Sequence, residues 1–271
     1  MGDRTRADGA AEPSSLAPIA TLIDRLRVDC PWDRELSLAD LRAYLIEEAH
    51  ELAAAIDERD VAAINEELGD LLFETVYVAR LASAELSDVS LGDAIRTVIE
   101  KMVARHPHVF GDEEAESAAE VAALWEKRKQ GRTGRSVLDG VPASLPALVG
   151  AYRLGQKAAG IGFDWNTAAG VRAKVSEELA ELDREMTGGA AADGPNAAAR
   201  VEEELGDVLF AVANLARHLK VDPERALAAA NRKFRRRFAR VEAGLEAGAA
   251  AETDAARRQR MELLWEKAKR V

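Results

Sequence analysis

Apolar residues recur at intervals of three and four along most of the chain, the period of helices that bury one side. Ile19, Leu22, Ile23 and Leu26 share a face and predict a helix over 19–27, after a small, polar tail over residues 1–18 that contains Pro13 and Pro18. Cys30-Pro31-Trp32-Asp33 reads as a non-helical turn, because proline removes a backbone donor. Ser37, three residues ahead of Asp40, reads as the N-cap of a long helix ending near Glu58. A break near Asp60 precedes a second long helix to Ala84, Ser90 caps a third over 91–105 that stops at His106-Pro107-His108, and a fourth is expected over 118–130. Periodicity then gives way to Gly, Ser, Arg and Pro, so a linker over 131–147 is expected between helical domains at 19–130 and 148–271. The second domain opens with a helix holding Tyr152 and Leu154, then a Gly-rich turn over 160–165 and an acidic helix. A loop over 187–196, a second acidic helix, a basic helix over 223–242, a loop over 244–254 and a last helix with Trp265 follow.

The two halves repeat one another. Glu47, Glu48 and Glu51 followed by Glu67-Leu68-Gly69-Asp70 return as Glu177, Glu178 and Glu181 followed by Glu204-Leu205-Gly206-Asp207. Trp32 matches Trp165, Lys101 and Arg105 match Lys233 and Arg237, and Trp125-Glu126-Lys127 matches Trp265-Glu266-Lys267, which points to a tandem duplication. With 48% apolar residues, 5% aromatic and abundant Ala, the expected fold is all-α, two tandem helical bundles rather than a β-sandwich.

Helical geometry places the acidic words. At about 100° per residue from Leu45, the residues Ala49, Leu52 and Ile56 form a stripe expected to be buried, with Glu48 at about 300° and Glu51 at about 240° on its margin, and Glu47 further round. Counted from Ile64, the stripe is Leu68, Leu71 and Thr75, and Glu67 and Asp70 take those two angles. Glu178 and Glu181 take them from Val175, as do Glu204 and Asp207 from Val201. Packed as a hairpin, each helix pair can gather four carboxylates, which raise one another's pKa unless a cation joins them. Oxygen-only ligands without Cys or repeated His select Mg²⁺, or Mn²⁺ in its place, over Zn²⁺. Glu47 and His50 make one Glu-x-x-His, but a di-iron carboxylate bundle needs that element on two helices.

Basic and aromatic residues suggest what the metal serves. Lys101 with Arg105, and Lys233 with Arg237, project four apart from helix faces and suit a polyphosphate whose charge a divalent cation only partly neutralises. Trp125, and Trp265 with Lys269, offer aromatic faces for a base, against core packing as the ordinary fate of a tryptophan. A formal net charge of -11 argues against stable nucleic-acid binding. The lone Cys30 excludes an internal disulfide, no secretory leader opens the chain, and no apolar run approaches the roughly 20 residues of a membrane span. A soluble cytoplasmic protein is expected.

The acidic words, the Cys-Pro-Trp-Asp turn, the Arg-His-Pro-His-Val-Phe run over 105–110 and Gly-Phe-Asp-Trp over 162–165 resemble the MazG nucleoside triphosphate pyrophosphohydrolases of the all-α NTP pyrophosphatase superfamily. The resemblance covers nearly all of the chain after residue 18. It implies Mg²⁺-dependent hydrolysis of an NTP or dNTP between its α and β phosphates, giving NMP and pyrophosphate, by a helical homodimer. By the same resemblance Glu178, Glu181, Glu204 and Asp207, with Glu48, Glu51, Glu67 and Asp70 in the first half, are metal ligands. Lys174, Glu177, Lys233, Arg237 and Trp265 are implied substrate contacts, and Glu177, with Glu47 as its counterpart, is expected to orient or deprotonate the attacking water. Tyr44 and Ala63 stand where the second half has Lys174 and Arg200, so the second half is expected to carry most of the turnover. The alternative is a nucleotide or alarmone sensor that binds without cleaving and regulates a partner.

Overall fold

In a computed structural model of the chain, residues 16–113, 117, 121, 136–187, 196–246 and 253–270 are described. Every regular element among them is helical. The chain divides into two compact units, Met1–Glu116 and Ser117–Val271.

The first unit contains α1 (Ala17–Asp29), α2 (Pro31–Glu35), α3 (Leu38–Glu58), α4 (Val61–Glu85), α5 (Leu91–Arg105) and the short α6 (Pro107–Phe110). Ser37 and Asp40 form a reciprocal capping box at the start of α3. At its end Arg59 turns the chain with φ 57°, and Asp60 caps α4 by accepting from the Ala62 and Ala63 amides. Two residues between long helices force an antiparallel hairpin, the largest helix pair of the unit. Ile23, Leu36, Leu41, Val76, Tyr77 and Leu81 make its core, with Phe73 set edge-on to Tyr77 at 5.7 Å between ring centres. Arg27 holds the C-terminal half of α2 by donating to the carbonyls of Asp33 (2.6 Å) and of its C-cap Leu36 (2.9 Å).

The second unit holds a 3₁₀ turn (Val137–Gly140), α7 (Ala147–Ala159), α8 (Ala168–Thr187), α9 (Ala197–His218), α10 (Pro223–Glu246) and α11 (Asp254–Lys269). The α8/α9 hairpin is its main pair; α7 lies on α9 and α10 lies on α11. Before α8, Gly162 turns the chain with φ 88°. Gly170 admits Trp165, whose Cδ1 lies 3.1 Å from where a Cβ would stand.

Four expectations are corrected. Cys30-Pro31-Trp32-Asp33 is not a plain turn: Pro31 opens α2, at the first helical position, where a missing amide costs nothing. The first helix begins at Ala17, with Pro18 in its first turn rather than in the tail. The basic helix runs past Glu242 to Glu246, so Gly244 is helical, and its bare Cα accommodates Leu264 of α11. The stripe expected to be buried is half open: Ala49 and Thr75 are exposed, Leu68 is 46% exposed and Ile56 55%. Each hairpin covers only the flank along which its two helices touch. The segment read as a linker contains the 3₁₀ turn packed on α7. Apart from Val121, the helix expected over 118–130, with Trp125, lies outside the described residues, as does most of the loop over 187–196.

Candidate metal and nucleotide site

The hairpin geometry that pairs α3 with α4, and α8 with α9, brings acidic side chains from two helices to one place in each unit. Glu48, Glu67 and Asp70 offer oxygens that all lie within 4.8 Å of one another, as do Glu178, Glu181 and Glu204. Glu51 and Asp207 stand outside these triads but inside their field, Glu51 acting on Glu48 and Glu67, and Asp207 on Glu204. Glu47 and Glu177 are exposed.

Crowding of like charge leaves its mark. Partial burial, then Asp70, Glu51 and Glu47, hold Glu48 above the ordinary carboxylate range. Glu67 is raised by desolvation and then by Glu51 and Glu48. In the second unit desolvation followed by Glu181, Asp207 and Glu178 raises Glu204. Removing solvent while adding negative charge is unfavourable for bare carboxylates and suits a hard divalent cation. The donor set, all oxygen, fits Mg²⁺ or Mn²⁺.

The units differ in their cations. Lys174 Nζ lies 2.9 Å from Glu177 and 2.7 Å from Glu178, the latter only 6% exposed, and these bonds raise the lysine pKa. Tyr44, its counterpart, instead lies 6.2 Å from Trp32, ring centre to ring centre. Arg200 pairs with Glu185 at 2.6 Å, and Arg184 with Glu181 at 2.8 Å. On α10 and α11, Trp265 packs on Phe234 at 5.3 Å between centres, with Lys269 Nζ 5.9 Å from its ring centre and 2.6 Å from Glu266. Arg237 reaches the Lys269 carbonyl at 3.4 Å, and Lys233 is exposed. Lys101 and Arg105 lie partly buried on α5. Trp125 lies outside the described residues.

The sequence matches the MazG nucleotide pyrophosphohydrolase domain twice, over residues 36–110 and 166–241, each match spanning one acidic hairpin. The chain belongs to the MazG family. It is 40% identical over 259 residues to a nucleoside triphosphate pyrophosphohydrolase of Escherichia coli (strain K12), covering 93% of this chain and 96% of that one. Identity is again 40% over 233 residues to a Thermotoga maritima nucleoside triphosphate pyrophosphohydrolase/pyrophosphatase MazG, covering 84% and 86%. A Mycobacterium tuberculosis nucleoside triphosphate pyrophosphohydrolase is 34% identical over 171 residues, 60% of this chain and 52% of that one. Membership agrees with the all-α tandem fold and makes the carboxylate triads the place to look for chemistry.

Two features escaped the sequence reading. The first is Glu74, which the same angular count places at about 280°, between Glu67 and Asp70 on the acidic edge; its Oε2 is shut off from solvent without a hydrogen-bond partner. The second is Asp164, which accepts from Arg217, from the Trp165 amide (2.8 Å) and pairs with His218 Nε2 (2.9 Å). Desolvation pulls its pKa up, but these bonds prevail and lower it to about 2. That pair joins residues 53 apart in sequence, so no local signal announces it.

Proposed function

We propose that this chain hydrolyses nucleoside triphosphates, ribo or deoxy, to the monophosphate and pyrophosphate with Mg²⁺, and that its second half carries most of the turnover. The observation that carries this reading is the duplicated carboxylate triad in a MazG chain, with a lysine seated on it, among the described residues, in the second half only. A cation held by Glu178, Glu181, Glu204 and Asp207 would supply positive charge at the α-phosphate and acidify a water beside it. Lys174, paired in the free protein with Glu177 and Glu178, then has phosphate oxygens as alternative partners. Lys233 and Arg237 take up the charge that grows on the departing pyrophosphate. Glu177, exposed and outside the triad, is in this reading the acceptor for the proton of the attacking water. Trp265 presents a face for the base.

Homodimer formation fits the half-open stripes: Leu68, Leu72, Leu205 and Leu209 stand exposed on the acidic helices. Among the described residues no helix is long and apolar enough to cross a membrane. We place the enzyme in the cytoplasm, and the net charge of -11 argues against stable nucleic-acid partners.

Incubation of purified protein with dATP or GTP and Mg²⁺ is expected to give the nucleoside monophosphate and pyrophosphate. Release of orthophosphate, or no product with Mg²⁺ or Mn²⁺, overturns the reading. Glu178→Ala is expected to lower turnover at least about a hundredfold, the scale on which metal sites respond to loss of their supporting groups. Glu48→Ala should retain most of it; the opposite result would exchange the roles of the halves.

A further inference from the structure

The second unit carries a cavity that the carboxylate cluster does not use. It has a volume of about 430 Å³ and lies between the 3₁₀ turn, α7, the turn ahead of α8, and α9; neither the triad nor Asp207 lines it. Leu154 of α7, Phe163 and Trp165 of the turn and Phe210 of α9 make its walls apolar and largely aromatic. Phe163 is 74% exposed, so part of that apolar surface stands open. Asn214, at the polar end, is seven residues beyond Asp207, two turns or about 10 Å along α9 and on nearly the same side of it.

The polar end decides what the cavity can hold. Arg217 donates to Asp164, which also pairs with His218 Nε2 at 2.9 Å, so the guanidinium that lines the cavity is already neutralised. It has no charge to spare for a phosphate or a carboxylate. Asn214 is only 3% exposed, and its Oδ1 is taken by Arg217 Nε at 2.8 Å. Its amide nitrogen, a donor of two hydrogen bonds, has no acceptor among the described residues and is not sealed from solvent. Aromatic faces and one buried donor suit a ligand that is flat, uncharged and edged with an acceptor. We propose that the cavity binds a neutral planar heteroaromatic ring of the nucleobase kind, stacked among Phe163, Trp165 and Phe210 with an acceptor atom turned to Asn214. Two sources supply such a ring: a free base or nucleoside, which leaves Trp265 to the substrate, or the base of the triphosphate itself, which is then held here rather than on Trp265. The second source rests on the proposed substrate; the binding itself does not.

Benzimidazole and indole test it, because they share one shape and only benzimidazole carries a ring-nitrogen acceptor. Both are titrated into the full chain above neutral pH, where benzimidazole is uncharged, and followed by saturation-transfer NMR. Wild type is expected to bind both. Asn214→Asp keeps the side-chain shape and the bond to Arg217 but removes the donor, so the ratio of benzimidazole to indole affinity should fall at least about threefold, the worth of one hydrogen bond. Ala158→Leu puts an isobutyl group in place of a methyl that lines the cavity and should weaken both ligands at least about tenfold. It decides the matter if Asn214→Asp does not fold. A triphosphate with a methylene α–β bridge, added with Mg²⁺, separates the sources: displacement of benzimidazole assigns the cavity to the base of the substrate, and simultaneous binding assigns it to a free base or nucleoside. No binding of either ring by wild type, equal binding by wild type and Ala158→Leu, or an affinity ratio unchanged in Asn214→Asp overturns the proposal. None of these outcomes depends on hydrolysis, so triphosphate cleavage stands or falls by its own assay.

Discussion

Tyr77 is almost wholly buried, and its hydroxyl donates to the Asp33 carbonyl at 3.1 Å, joining α4 to the turn of helix that carries Trp32. Tyr77→Phe keeps the ring against Phe73 and leaves that carbonyl with Arg27 as its remaining donor. Urea melts should show a loss of about 1 kcal/mol, the ordinary net worth of a hydrogen bond, because the carbonyl stays satisfied. Asp164 makes the opposite kind of contribution, through charge. Its folded pKa of about 2 lies below the unfolded value of 3.8, so the stability it supplies is complete above 3.8 and disappears as pH falls through 2. Asp164→Asn should therefore destabilise the protein near neutrality, by on the order of 2 kcal/mol or less, and flatten the acid limb of its stability profile. An unchanged acid limb in chemical denaturation would remove Asp164 from that account.

At the scale of elements, the signals that could be read were those written within a few residues. Ser37 and Ser90 each cap a helix through a residue three positions on, and both caps are present. Helical pitch alone pointed to six acidic residues that the hairpins bring together, while Glu51 and Asp207, given the same edge, stand outside the triads. What failed depended on partners far away. α2 forms because Arg27 and Tyr77 hold its carbonyls, and the half-open stripes reflect which flank of each hairpin finds a neighbour. Glu74 was legible by the same angle count that found Glu67, but its significance needed the burial of one oxygen. Helix packing also gives a test with a change of sign. A Cβ on Gly155 of α7 would stand 2.8 Å from Asn214 Oδ1 and 3.3 Å from Arg217 Nε, two atoms already bonded to each other, whereas one on Gly150 meets nothing within 4 Å. Gly150→Ala should stabilise by about 0.5–1 kcal/mol through helix propensity. Gly155→Ala should destabilise by about 1–2 kcal/mol, overpacking exceeding that gain. Equal shifts in melting temperature would mean that α7 and α9 are not in this contact.

For the whole molecule, acidity and metal binding meet in one measurement. Glu48, Glu67, Glu74 and Glu204 have folded pKa values raised above the unfolded 4.5, first by desolvation and then by neighbouring carboxylates of their own unit. The native state therefore binds protons more tightly than the unfolded one, and the metal-free protein loses stability as pH rises from 4.5 toward neutrality. Asp164 acts with the reverse sign, but its window lies between 3.8 and 2 and does not mask the effect. A divalent cation that binds only the native state reverses the slope, because its affinity grows as its ligands lose their protons. Melting temperature in EDTA should thus fall across that range, while in Mg²⁺ it should hold level or rise. General repulsion in a chain of net charge -11 would also weaken it with rising pH, but potassium chloride screens such repulsion as well as magnesium chloride does at equal ionic strength. Stabilisation by Mg²⁺ beyond that of matched potassium chloride, lost in part with Glu48→Ala and in part with Glu204→Ala, assigns the effect to the two hairpins. Equal stabilisation by the two salts would reduce it to screening and leave the carboxylate clusters without an ion.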